Sequence, residues 1–217
     1  MVERLGSYEL ERVVGRGGAG EVWLAWAADA PSRPLAVKRC RSVVGAHLLR
    51  SELALLTRID HPSLVPVIDL VPDPPGAALV MPYLGGGSLR TLLDERGTLG
   101  VGELVAILDP VASALAALAD GGVVHGDLKP ENILLTEAGV PMLADVGVAR
   151  ALDGIGDGPA RHGTPSYLDP ASTHDGPVTV RSDVFSLGVI AYESLTGRLP
   201  HRGGPAEVGP GSVSPGP

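Results

Sequence analysis

The sequence predicts an α+β fold in two lobes, a small β-rich lobe followed by a larger helical one. Three observations carry this. Up to residue 83 the chain is mostly short apolar runs broken by Gly, Pro and Asp. One stretch in that half, 47–59, has helical spacing instead. From Ser88 onward the apolar residues recur mainly at helical intervals. A length of 217 residues suits one large domain or two lobes sharing a cleft.

The elements follow in order. Residues 8–14 read as a strand, 15–20 as a glycine turn, 21–27 as a second strand and 34–39 as a third. Leu48, Leu49, Leu53, Leu55, Leu56 and Ile59 place a helix over 47–59. Two further strands are expected over 64–70 and 77–83, which ends the small lobe (1–83). In the large lobe (84–200), 104–119 is an Ala-rich helix and 123–148 alternates short strands with loops. Residues 182–196 are apolar on nearly every side and predict a helix buried all round, stopped by Gly197. Residues 201–217 are rich in Gly and Pro and are expected to form a disordered tail.

Composition bounds the function. Apolar residues make up 44%, enough for a core, but aromatics are only 3%, so that core is built from Ala, Val and Leu. The net charge of -8 argues against a dedicated nucleic-acid binder. Cys40 is the single cysteine, which excludes an internal disulfide and fits a reducing compartment. Residues 1–8 lack a charged-then-apolar leader pattern, and the most apolar stretch, 104–119, is broken by Asp109 and Pro110. No run reads as a membrane span, so the expected location is the cytoplasm.

Four motifs carry chemistry. In Gly15-x-Gly17-x-x-Gly20-x-Val22, glycines let backbone amides approach phosphate oxygens. A dinucleotide fold uses a similar pattern between a strand and a helix, but here a strand follows, which favours a hairpin lid. A ligand-free glycine turn is the plain alternative. In Ala36-Val37-Lys38, an ammonium within an apolar strand needs a partner. Glu52 on the next helix would provide one and aim Lys38 at phosphates, unless Glu52 is simply solvated. His125-Gly126-Asp127-Leu128-Lys129-Pro130-Glu131-Asn132 puts an acid, a cation and an amide in one loop. The acid can accept or orient a hydroxyl proton, and an Asn oxygen can ligate Mg²⁺. Asp145-Val146-Gly147 follows a short apolar strand and can hold Mg²⁺ against phosphates.

In this order the motifs resemble the signature set of the protein kinases. Gly163-Thr164-Pro165-Ser166-Tyr167 resembles their protein-substrate docking segment, and Ser182-Asp183-Val184-Phe185 onward resembles the central helix of their large lobe. The likeness covers residues 8–200. Its wording (Gly-Gly-Ala-Gly at 17–20, His-Pro-Ser-Leu-Val at 61–65, Leu-Thr-Gly-Arg-Leu-Pro at 195–200) is closest to bacterial Ser/Thr kinases. The resemblance implies a serine/threonine kinase that uses ATP and Mg²⁺ on a protein substrate. It places Gly15, Gly17, Gly20 and Val22 over the nucleotide, with Ala36 and Leu134 in the same site. Lys38, oriented by Glu52, holds the phosphates. Met81 occupies the gatekeeper position, and Pro82, Tyr83 and Leu84 form the hinge. Asp127 is the implied catalytic base, Lys129 stabilises the transferred phosphate, Asn132 and Asp145 bind Mg²⁺, and Asp183 props the catalytic loop.

The chain departs from that family in three places. Gly126 replaces the Arg that receives an activation-loop phosphate, and no Ser, Thr or Tyr lies between Val146 and Gly163. Activity is therefore expected to be independent of phosphorylation there. Val146 replaces Phe, which should loosen packing against Leu56 by on the order of 1–3 kcal/mol. Asp169-Pro170-Ala171 replaces Ala-Pro-Glu, and the chain turns to Gly and Pro after Pro200, so the last helices of the large lobe are expected to be missing. That would leave apolar surface on 182–196 for a partner or for self-association. Two rival functions remain: an ATP-binding scaffold of the same fold, and a small-molecule kinase of the aminoglycoside phosphotransferase type. The latter also writes His-Gly-Asp-Leu in its catalytic loop, but Lys129 and 163–165 favour a protein substrate.

Overall fold

A computed structural model describes residues 3–17, 20–146, 165–172 and 178–200. The side chains of residues 44, 48, 51, 52, 55, 56, 165 and 172 are outside that description. The expectations for Leu56, Thr164 and the 201–217 tail therefore lie outside the described residues.

The small lobe is a six-stranded antiparallel sheet in the order β1-β2-β3-β4-β6-β5. Its strands are β1 (Glu3–Leu5), β2 (Tyr8–Gly17), β3 (Gly20–Ala27), β4 (Ala30–Cys40), β5 (Asp69–Asp73) and β6 (Gly76–Pro82). One helix, α1 (Val43–Leu56), packs on β6. Alternation divides the sheet's side chains between two apolar clusters. Leu10, Ala25, Val37 and Val80 form one, together with Leu5 and Tyr8. Ala36, Leu79 and Met81 point to the other side, with Ala46 and Leu49 of α1. Arg39, between inward-facing neighbours, is buried and fully compensated. It donates to both oxygens of Asp73 at 2.8 and 3.1 Å and to Glu3 at 2.6 Å. That pairing holds the Asp73 carboxyl below its ordinary range.

The large lobe contains α2 (Leu89–Arg96), α3 (Val101–Asp120), the hairpin β7 (Ile133–Leu135) and β8 (Pro141–Leu143), and α4 (Val180–Thr196). Ser88 caps α2, its Oγ accepting from Thr91 N at 3.2 Å. Glu103 opens α3 by accepting from Gly100 N at 3.0 Å and pairing with Arg96 through both carboxylate oxygens. Leu104, Ile107, Val111, Ala114, Leu115 and Leu118 form its buried face. By length and composition α3 is sufficient to cross a membrane, contrary to expectation, yet that face packs into the lobe core.

Several elements differ from the sequence reading. β1 and α2 were not resolved as separate elements. α1 runs over Val43–Leu56 rather than 47–59. The strand expected over 64–70 is instead β5, Asp69–Asp73, preceded by a segment bonded to β8. α4 is not buried all round: Val184 is 61%, Leu195 43% and Tyr192 39% exposed. Val146 is buried within the large-lobe core.

Candidate active site

The glycine motif forms a hairpin, as its wording requires. Gly15 pairs with Val22 and Gly17 with Gly20 across β2 and β3. Gly20 has φ 124°, and a Cβ there would lie 2.0 Å from the Arg39 carbonyl oxygen, so only glycine fits. Behind the hairpin, Val22, Ala36, Met81, Tyr83, Leu84 and Leu134 belong to one apolar cluster drawn from both lobes. These are the residues the resemblance assigns to the nucleotide base. The link between the lobes follows β6. Tyr83 N donates to Pro34 O at 3.1 Å and Pro82 has no N–H, which leaves Leu84 as the hinge amide able to donate.

Lys38 sits on β4 opposite Val22 and is buried. Its Nζ donates to Asp145 Oδ1 at 2.8 Å, which joins the small lobe to the strand end of the large one. Loss of hydration works against ionisation of Asp145, but the Lys38 ammonium outweighs it and holds the carboxyl below its ordinary range. Asp145 has φ 54°, an uncommon conformation for a residue with a side chain. Glu52 is on α1, but its side chain is outside the described residues, and with it the expected Lys38–Glu52 pair.

The loop 125–132 is held from two sides. Asp183, buried at the start of α4, accepts from His125 N through one oxygen and from Gly126 N through the other, both at 2.8 Å. His125 is fully buried and bridges to the neighbouring strand through Nε2 and Ala144 O at 3.0 Å. Its Nδ1 accepts from Asp127 N at 3.3 Å. These contacts set the position of Asp127, whose Oδ2 accepts from Lys129 Nζ at 2.7 Å. Asn132 Nδ2 donates to Asp127 O at 2.8 Å, so its amide oxygen is the atom that could hold a metal. Ala144 N donates to Asn132 O at 2.9 Å, placing Asn132 beside the residue that precedes Asp145.

Asp127, Lys129, Asn132, Asp145 and Lys38 thus gather at the lobe junction from three separate motifs. Asn132 and Asp145 fit Mg²⁺: they supply hard oxygen ligands from two sides, and too few for an all-protein site. Among the described residues no cluster of three or more His, Cys, Asp or Glu would hold a metal by itself, so the ion would be completed by phosphate oxygens.

Sequence reasoning missed two contributors. Ser63 O accepts from Leu143 N at 2.7 Å, and Leu143 O accepts from Val65 N at 3.0 Å, anchoring β8, whose last residue lies two before Asp145. Arg90, which no motif singled out, pairs with Glu193 of α4, and Glu193 in turn accepts from Tyr167 of the expected docking segment. Main-chain acceptors and partners 103 residues apart leave no local signature.

The sequence matches the protein kinase domain over residues 8–208. It is 37% identical over 221 residues to the serine/threonine-protein kinase PkaB of Streptomyces coelicolor, covering 94% of this chain and 52% of that protein. It is 43% identical over 156 residues to the serine/threonine-protein kinase PknL of Mycobacterium tuberculosis, covering 71% of this chain and 39% of that protein. The serine/threonine-protein kinase Pkn1 of Myxococcus xanthus is 37% identical over 215 residues, 91% of this chain and 30% of that protein. The chain spans about half or less of the length of these relatives. Its match to the domain and its likeness to these proteins over most of its length show that the chain belongs to the protein kinase family.

Proposed function

We propose that this chain is a serine/threonine protein kinase that transfers the γ-phosphoryl group of ATP to hydroxyls of a protein substrate in the cytoplasm. The observation that supports it most is the convergence of Asp127, Lys129, Asn132, Asp145 and Lys38 on one cleft, in a chain similar to Ser/Thr kinases. Asp127 accepts or orients the hydroxyl proton. Lys38 and Lys129 balance the charge on the phosphates, and the apolar cluster around Ala36 and Met81 takes the base. Bound at Asn132 and Asp145, Mg²⁺ would neutralise phosphate charge. Most of the rate enhancement is then positioning and electrostatics rather than covalent chemistry.

Gly126 and the lack of hydroxyl residues over 147–162 support an activity that needs no phosphate in that loop. The exposed face of α4 supports self-association.

The test is transfer of labelled phosphate to a generic protein, with Asp127→Ala alongside. The variant should lose transfer by about 10²–10⁴-fold while binding nucleotide as before. Full activity in the variant overturns the role of Asp127. Nucleotide binding without transfer in the unsubstituted chain would make it a binding module.

A further inference from the structure

We propose that Arg39 is a positioning residue for the nucleotide: from the far face of the small-lobe sheet it holds the glycine hairpin and the Lys38 strand in register around ATP. This rests on the kinase reading above. Side chains alternate along β4. Ala36 belongs to the cluster on the nucleotide side, and Lys38 lies two residues on; Val37 and Arg39 point the other way. The Arg39 side chain is only 6% exposed, and a charge so buried needs partners.

Those partners lie on the two edges of the sheet. In the order β1-β2-β3-β4-β6-β5 the edge strands are β1 and β5. Glu3 opens β1 and Asp73 ends β5. Arg39 donates through Nε and Nη2 to the two oxygens of Asp73 at 2.8 and 3.1 Å, and through Nη1 to Glu3 Oε1 at 2.6 Å. One planar fork thus ties both edges of the sheet to the strand that carries Lys38. Two routes lead from it to the glycine hairpin. By side chains, the guanidinium carbon stands 5.9 Å from the centre of the Trp23 ring on β3. Trp23 Nε1 donates to Glu21 Oε2 at 3.3 Å, and Glu21 Oε1 pairs at 3.3 Å with Arg16, which lies between Gly15 and Gly17. By the main chain, Arg39 faces Glu21 across the β3–β4 ladder, and its carbonyl oxygen lies against Gly20, where a Cβ would come within 2.0 Å. Lys38 faces Val22 one step along the same ladder. A shift of β4 therefore moves the Lys38 ammonium and the hairpin together. The loop that carries Asp127 is held by Asp183 of the large lobe instead. Loss of Arg39 should weaken ATP and spare the protein substrate.

Three variants test this: Arg39→Met, Arg39→Lys and Glu3→Ala. MgATP binding is measured by calorimetric titration, and steady-state transfer against ATP and against a generic protein, with the thermal midpoint of each variant. Arg39→Met keeps the apolar stem and removes the fork. Its Kd and KM for ATP should rise about tenfold, with KM for the protein within about twofold of the parent. Arg39→Lys keeps the charge without the fork and should recover part of that loss. If Arg39→Met, which leaves Asp73 without its buried partner, fails to fold, Glu3→Ala decides. Glu3 is half-exposed, so its removal frees the β1 edge while Arg39 stays paired with Asp73. The Kd for ATP should then rise about threefold. Lower midpoints with unchanged ATP affinity in Arg39→Lys and Glu3→Ala would assign Arg39 to stability alone and overturn the proposal. A parallel rise in KM for the protein overturns it too. A parent chain that binds MgATP but transfers nothing ends the kinase reading, and the Kd values then decide the role of Arg39 by themselves. A parent chain that binds no MgATP overturns both.

Discussion

His125 has both ring nitrogens committed in one tautomer. Nε2–H donates to Ala144 O, and Nδ1 accepts from Asp127 N. A second proton on the ring would break the Nδ1 contact and place a charge in a fully buried site. Burial accordingly pushes the imidazole below its ordinary 6.5, although Asp183, Asp127 and Asp145 all pull it up. In the unfolded chain this histidine takes up a proton first as pH falls. Its contribution to stability is therefore complete above 6.5 and is lost below it, by up to about 1.4 kcal/mol per pH unit. Urea unfolding followed downward from neutral pH should show that slope in the parent chain and not in His125→Gln; equal slopes would rule out His125 as its source. Gly126, the next residue, has φ 77°, where a side chain costs about 1–2 kcal/mol. Gly126→Ala should lower the midpoint of thermal unfolding by about 2–4 °C per kcal/mol, and an unchanged midpoint would show that the loop relaxes freely. At this scale much of the site could be read from sequence, because Lys38, Asp127, Asn132, Asp145 and Asp183 each lie in a local motif whose chemistry demands that residue type. What could not be read was the geometry between motifs. The Lys38–Asp145 bond spans 107 positions, and His125 reads as ordinary until its burial is known.

Elements were legible where periodicity was strong and blurred where it was not. α3 and α4 were found within a few residues because apolar residues recur along them at helical spacing. α1 begins at Val43, earlier than expected, because Val43, Val44 and Gly45 are poor helix formers and packing on β6 overrides propensity. The misplaced strand has a similar cause. Residues 64–68 are apolar, with Val65, Val67 and Ile68 β-branched, but their main chain bonds to His61 and β8 and reaches β6 only through Ile68 N to Val80 O. The true strand, β5, contains Pro72, which an edge position tolerates because one side of the ladder is unpaired. α2 was blurred because its mean character is polar and it is only eight residues long. So short a helix depends on its ends. Ser88 supplies the N-cap, and the Gly97 N–H closes the last turn onto Leu93 O at 2.8 Å. Ser88→Ala should cost about 0.5–2 kcal/mol in urea unfolding. It should also raise exchange over α2, which carries Arg90, before it affects α3. No loss of stability would mean that packing of Leu89 and Leu93 holds α2 without its cap.

For the molecule as a whole, the remaining question is what its apolar surface does. Along α4, Val184, Tyr192 and Leu195 are 61%, 39% and 43% exposed and lie about one turn or two apart on the helix side away from the core. Gly188 sits among them, and a Cβ there would meet nothing within 4 Å, so the stripe has a flat centre where a second helix can approach closely. α3 packs beside α4 and leaves its own Val101 and Val105 more than half exposed. A second copy of the chain offers the same stripe, and two copies related by a two-fold axis would cover each other's Gly188. The net charge of -8 opposes that approach at long range. Raising salt shortens the screening length from about 10 Å at 0.1 M to about 3 Å at 1 M and removes the repulsion without weakening apolar contact. Sedimentation should therefore show association that strengthens with salt and with concentration, and that disappears in Val184→Glu combined with Leu195→Glu. Association that weakened with salt would point to charge pairs elsewhere on the surface. A chain that stays monomeric at high salt and high concentration would show that the stripe does not pair with itself.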